Sequence, residues 1–199
     1  GWVMNDHKGF FAMMARMKYI ERWALMRNSV SENICEHSLE VAMLAHGLGI
    51  IGRKRFGKDL SPERLAMLGM YHDCTEIITG DMPTPVKYAN DELKEAYKAI
   101  EDSAAQRLLE MLPEDLRAEY ESYFLPEQIT PEEYRYVKAA DKLSALIKCI
   151  EEEKTGNQEF RSAKQATYES LQQMNMPEVT VFCEAFLPEY YNTLDELEH

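Results

Sequence analysis

Positive charge is scarce in this sequence. Its 199 residues hold 22 Lys and Arg against 35 Asp and Glu, for a net charge of −13. A nucleic-acid polymer generally selects the opposite sign, because phosphate neutralisation dominates that affinity. A small anionic substrate stays compatible, since a few local cations can outweigh a distant acidic surface. The one basic run, Arg53, Lys54, Arg55 and Lys58, reads as a helix C-terminus whose cations complement the macrodipole. Long apolar runs are also missing: none approaches the ~20 residues that span a bilayer. Asp6, His7 and Lys8 interrupt the apolar residues of the N-terminus, so no secretory leader is expected. The four cysteines, Cys35, Cys74, Cys149 and Cys183, form no CxxC pair. They read as small core hydrophobes of a reducing, cytoplasmic setting, not as a disulfide frame or zinc site. Strand-like alternation, internal repeats, low-complexity tracts and linkers are not evident.

What remains is an ordinary globular composition, 45% apolar and 29% charged, arranged in helical periods. The expectation is an all-α bundle forming a single domain over residues 1–199. Residues 1–9 form an extension of unassigned role, and Leu197-Glu198-His199 resembles a tag remnant. A first helix is expected from Lys8 to Ile20, followed by a loop carrying Arg22, Trp23 and Arg27. A second starts near Ser31 as N-cap, with Glu32 in its first turn, and runs to about Phe56 before Gly57. Its buried stripe is Ile34, His37, Val41, Leu44, Leu48 and Ile51. A third opens at Ser61-Pro62 and continues to Thr79, with Gly80 as its stop and Leu65, Leu68, Gly69, His72 and Glu76 on one face. Further helices are expected over Asp91–Leu112 and Glu114–Phe124, from the capping box Thr130-Pro131-Glu132-Glu133 to Lys154, and over Glu159–Met174 and Glu178–Leu194.

Polar residues intrude where those stripes call for apolar ones. His37 lies in line with Val41 and Leu44. His72 and Glu76, four residues apart on a helix turning ~100° per residue, share a face, and Asp73 flanks them. Asp141 sits in the half-buried stretch Ala139-Ala140-Asp141-Lys142-Leu143. Taken singly, His37 reads as a core histidine bonded to a carbonyl, and Asp141 as a partner of Lys138 or Lys142. Taken together, two imidazoles and two carboxylates suit one divalent ion (Mn²⁺, Co²⁺, Fe²⁺ or Zn²⁺) that would compensate the buried charge. His46, nine residues past His37 and so ~180° around the helix, reads as structural.

His37, His72-Asp73 and Asp141 resemble the H…HD…D signature of the HD superfamily. The contexts are more specific: Glu36-His37-Ser38, Tyr71-His72-Asp73 with Glu76, and Thr79-Gly80-Asp81-Met82-Pro83-Thr84-Pro85-Val86-Lys87-Tyr88. With Arg22-Trp23 and Leu25-Met26-Arg27-Asn28, the chain resembles the bacterial 5′-deoxynucleotidases from about Phe10 to Glu196. The resemblance implies a homodimeric, metal-dependent enzyme that cleaves deoxyribonucleoside 5′-monophosphates to deoxyribonucleoside and phosphate. It implies His37, His72, Asp73 and Asp141 as metal ligands and Glu76 as the proton-handling group. Arg22 would hold phosphate, Trp23 and Asp81 would contact the sugar, and Thr84 and Lys87 would neighbour the phosphate or line the rim. Other readings stand beside these: Trp23 as an anchor between the first two helices, Asp81 as an Asx turn, Lys87 as a solvated cation. Two rival functions remain. One is an HD hydrolase of nucleoside triphosphates or cyclic phosphodiesters; the other is a nucleotide-binding protein that keeps the fold without turnover.

Overall fold

A computed structural model describes residues 8–199 and is built from helices, with one isolated antiparallel bridge between Glu21 and Asn33. The α-helices are α1 (Phe10–Met14), α2 (Ile34–Phe56), α3 (Pro62–Tyr71), α4 (Glu76–Thr79), α5 (Thr84–Lys87) and α6 (Asp91–Leu109). They continue with α7 (Glu114–Phe124), α8 (Pro131–Lys154), α9 (Arg161–Gln173), α10 (Pro177–Ala185) and α11 (Leu194–Leu197). The described chain clusters into two compact units. The first holds 8–25, 31–38 and 71–130; the second holds 26–30, 39–70 and 131–199.

The first unit packs around Phe10, Met17, Ile34, Cys74, Leu108, Leu109, Leu112 and Phe124. The expected first helix is split: α1 covers five residues, and Ala15–Tyr19 tighten into a 3₁₀ helix. The cause is the strand-like pairing that follows. Ile20 is extended, its carbonyl accepts Ile34 N–H at 2.9 Å, and Arg22 N–H donates to Glu32 O at 2.8 Å. That pairing also moves the start of α2. Asn33, not Ser31, caps it: Asn33 Oδ1 accepts Glu36 N–H at 2.9 Å and Glu36 Oε1 accepts Asn33 N–H at 3.2 Å, a reciprocal capping box. Glu32 therefore precedes the helix instead of lying in its first turn, and its carboxylate is released for other work. Helix α6 is capped by Asn90, whose side chain accepts Leu93 N–H at 2.7 Å.

The second unit centres on Val41, Leu44, Ala45 and Leu48 of α2, packed with Leu65 of α3 and with Tyr136, Leu143, Leu146, Ile147 and Ile150 of α8. The α2 stripe is as expected, with Ile34, His37, Val41, Leu44 and Leu48 all buried. At 23 residues and a mean hydropathy of 1.2 over 18 of them, α2 is by length and composition apolar enough to cross a membrane, although Glu36, His37, Glu40 and His46 interrupt its apolar run. Half of that window is buried within the protein, where its apolar side chains form the core. Gly69 lets α3 approach α2 closely: a Cβ there would sit 3.1 Å from Val41 O and 3.2 Å from Ala42 Cα.

Two buried carboxylates tie this unit together over long sequence distances. Glu178, fully buried, accepts both Lys58 Nζ, at 2.9 and 3.0 Å, and the Tyr136 hydroxyl. Lys58 is thus a structural cation and not part of the exposed helix-terminal charge formed by Arg53, Lys54 and Arg55. Glu152, 1% exposed, accepts Lys148 Nζ at 2.7 Å, Asn157 Nδ2 at 2.8 Å and the backbone N–H groups of Ser29 and Val30. All four thiols are free. Cys74 and Cys149 are buried as expected of core residues, but Cys35 is exposed.

Candidate metal centre

The third expected helix does not run through to Thr79. It stops at Tyr71, and residues 72–75 form turns before α4 resumes. The backbone bonds tighten to three-residue spacing there: Cys74 N–H to Tyr71 O, Glu76 N–H to Asp73 O and Ile77 N–H to Cys74 O, at 3.0–3.2 Å. In such turns positions i and i+3 eclipse. Asp73 is thereby brought close to Glu76, and His72 stays within its electrostatic reach. The buried Cys74 side chain points into the core of the first unit and pins the turn.

The break turns the His72-Asp73 pair toward His37. His37 is fully buried, its Nε2 3.4 Å from Asp73 Oδ2; His72 Nε2 is 3.1 Å from the same oxygen. The two rings lie 5.4 Å apart, centroid to centroid. One donor atom from each of these three residues falls within 4.8 Å of the others. Two ligands on one ion with ~2.1 Å bonds at tetrahedral or octahedral angles stand roughly 3.0–3.4 Å apart, so the observed separations fit a single first-row divalent cation. The mixed nitrogen and oxygen donors suit such an ion as well. Asp141, the fourth expected ligand, belongs to the second unit, where it is half-buried on α8; its neighbour Lys142 donates to Ser170 Oγ.

Glu76 follows on α4, half-buried, with its Oε2 shielded from solvent and without a hydrogen-bond partner. Burial, and then the negative charges of Asp73 and Asp81, push its carboxyl far above the usual range, against the pull of Arg22 and His72. Asp81 is also raised, by burial, and is hydrogen-bonded to Glu76, while Arg22 holds it down. Two carboxyl groups this close disfavour each other's ionised form. Arg22 thus stands within electrostatic reach of both acids.

Trp23 is half-buried. Its indole N–H donates to Glu32 Oε2 at 2.8 Å, and its backbone takes φ +60°. Thr84 is exposed at the start of α5. Lys87 is not simply solvated. Its ammonium lies 3.5 Å from Glu101 Oε1 and 4.8 Å above the Tyr97 ring, and the Tyr97 hydroxyl is 3.2 Å from Thr79 Oγ1. Burial alone would lower its pKa; Glu101, Tyr88, Tyr97 and Asp73 together outweigh that and raise it. Sequence reasoning passed over Glu32, Glu101 and Tyr97. Only Glu32 carried a signal, as an acid just ahead of a helix whose cap lies elsewhere.

The model of the YfbR-like 5′-deoxynucleotidases matches residues 9–190. The chain belongs to that family. Among curated members, the 5′-deoxynucleotidase of Vibrio cholerae is 48% identical over 188 residues, covering 94% of this chain and 97% of the relative. Among solved structures, an HD-domain phosphohydrolase from Listeria innocua superposes with a TM-score of 0.79 at 22% identity, over 95% of this chain and 91% of that one. The cyanophage S-2L HD phosphohydrolase DatZ, bound to dA and one catalytic Zn²⁺, superposes at 0.63 with 22% identity, over 89% and 96%. At that identity the two structures speak for the fold, which is the all-α HD fold expected from the sequence.

Proposed function

We propose that this YfbR-like chain is a metal-dependent phosphomonoesterase that converts deoxyribonucleoside 5′-monophosphates to deoxyribonucleosides and phosphate. The observation that carries this reading is the convergence of the His37 and His72 Nε2 atoms on one oxygen of Asp73, beside the solvent-shielded carboxyl of Glu76. His37, His72, Asp73 and Asp141 are assigned as ligands of one ion. When bound, that ion supplies Lewis acidity, polarising a phosphoryl oxygen and acidifying water. Mn²⁺, Co²⁺, Fe²⁺ and Zn²⁺ all suit the donor set; the Zn²⁺ of DatZ favours testing zinc first.

Glu76 is assigned as the general acid. It keeps its proton because burial and two neighbouring carboxylates disfavour the anion. As water adds to phosphorus and the P–O5′ bond breaks, Glu76 gives that proton to the departing 5′-oxygen and is reprotonated by the proton that the attacking water gives up. Asp81 hydrogen-bonds to Glu76 and is assigned to the 3′-hydroxyl of the sugar. Arg22 is assigned to the phosphate, where its planar guanidinium binds two oxygens at once. Trp23 supplies the wall against C2′, and Thr84 and Lys87 the rim. Residues 1–199 are read as one HD domain, acting as a homodimer, the assembly that the family resemblance implies, in the reducing cytoplasm to which the cysteine pattern points; sizing chromatography tests the dimer.

The deciding experiment is phosphate release from a panel of nucleoside monophosphates, with each metal added back to metal-free protein. Deoxynucleotide turnover that vanishes with chelator and returns with metal is the expected result. Hydrolysis of triphosphates or cyclic diesters instead would favour another HD activity, and binding without any turnover a non-catalytic role.

A further inference from the structure

Glu32 has no role in the reaction above, yet three groups of the site face it. Its Oε2 accepts the Trp23 indole N–H at 2.8 Å and stands 3.5 Å from Arg22 Nε. Its Oε1 stands 3.8 Å from His37 Nδ1. The side chain is only 14% exposed, and its backbone carbonyl accepts Arg22 N–H, so main chain and side chain grip the same dipeptide. We propose that Glu32 is a positioning residue: one carboxylate that holds the phosphate-binding guanidinium, the sugar-facing indole and a metal-facing imidazole in register. The roles of those three groups rest on the functional reading above; the clamp itself rests on geometry.

Each contact has a distinct physical consequence. Arg and Trp side chains lose rotamer freedom when they close on a ligand, and a carboxylate that restrains them beforehand shifts that cost from binding to folding. Trp23 sits at φ +60°, a left-handed conformation that bulky L-residues rarely adopt and that persists only where surrounding contacts over-determine it. The indole bond to Glu32 and the Arg22–Glu32 backbone bond are such contacts. At His37 the two ring nitrogens face different carboxylates, Nε2 toward Asp73 and Nδ1 toward Glu32. At 3.8 Å the second is too long for a hydrogen bond, so Glu32 acts there through its charge. That charge favours a proton on Nδ1 and leaves the Nε2 lone pair for a cation.

The test uses a Trp2→Phe background, because the chain has 2 tryptophans and Trp23 then reports alone. Glu32→Ala and Glu32→Gln are compared by melting temperature, by tryptophan emission of the metal-free protein, and by kinetics on a deoxynucleotide and its ribo counterpart. In Glu32→Ala, melting within about 3 °C of the parent, red-shifted emission and a KM raised roughly 10–100-fold are expected. The kcat should change much less, and the deoxy-over-ribo ratio should fall. Glu32→Gln keeps an oxygen for the indole N–H but loses the charge. It should restore the emission and the sugar ratio while the KM stays high. Unchanged KM and sugar ratio in Glu32→Ala would overturn the proposal, as would a loss of activity that only tracks lost melting temperature. Should Glu32→Ala fail to fold, parental kinetics in Glu32→Gln overturn it equally. A parent protein that releases no phosphate from any deoxynucleotide defeats the functional reading instead. The clamp is then decided by emission alone, and unshifted emission in Glu32→Ala rejects it.

Discussion

The two units treat buried carboxylates in opposite ways. In the second, Glu152 is surrounded by donors: Lys148, Asn157 and two backbone N–H groups overcome the cost of burial and hold it at about 2. Glu178 is likewise kept below its ordinary value by Tyr136 and Lys58, although burial alone would raise it. In the first unit, Glu76 and Asp81 are half-buried beside Asp73 and beside each other, and both are raised. The chemistry of the side chains is the same; the neighbours differ. Donors make a carboxylate a fixed structural anion, while like charges and an orphaned oxygen make it a proton store, which is the condition for acid–base catalysis.

The most severe way to break this contrast is to remove a metal ligand. His72→Ala and Asp141→Ala are each expected to abolish metal-dependent turnover, with metal content by elemental analysis falling in parallel; a variant that keeps both activity and metal removes that residue from the centre. Next comes the proton store. Glu76→Ala should fold and retain its metal yet lose roughly 10²–10⁴-fold in turnover. Loss of the metal as well would make Glu76 a ligand and redraw the roles.

The second unit should respond in stability rather than chemistry. Glu152→Ala leaves Lys148, 5% exposed, as a buried cation without this partner, a change that costs about 3–5 kcal/mol. Denaturant midpoints measure it. The pH dependence follows from the sign of the shift: Glu152 is depressed in the fold, so its stabilisation is present above its unfolded value near 4.5 and lost as pH falls toward about 2. Glu152→Gln should flatten that acid limb. An unchanged limb would mean that other carboxylates set it.

The smallest expected effect concerns the sugar. An indole packed on C2′ tolerates a CH₂ and strips water from a hydroxyl without replacing its hydrogen bonds. Trp23→Ala should therefore lose a deoxy-over-ribo preference on the order of 10²-fold, read as a ratio of kcat/KM values. Asp81→Ala should weaken it by freeing the 3′-hydroxyl. If Trp23→Ala discriminates as well as the parent, the wall lies elsewhere.

Local signals account for what the sequence determined alone. Helices α7 and α8 begin and end where periodicity, a proline start and Gly156 at φ +83° put them, because those signals act within a turn or two of the chain. The buried His37 and the His72-Asp73 pair were legible as polar residues breaking apolar stripes, and the motif contexts around them named the family. Tertiary structure decided the rest. The helix break at residues 72–75 has no glycine or proline to announce it. The pairing of Ile20 and Arg22 with residues 32–34 moved the α2 cap to Asn33 and freed Glu32. Lys58 finds Glu178 across 120 residues, and Ser29 finds Glu152 across 123. Charge and burial are properties of neighbours in space, and a sequence names a residue's distant neighbours only after the chain has closed on itself.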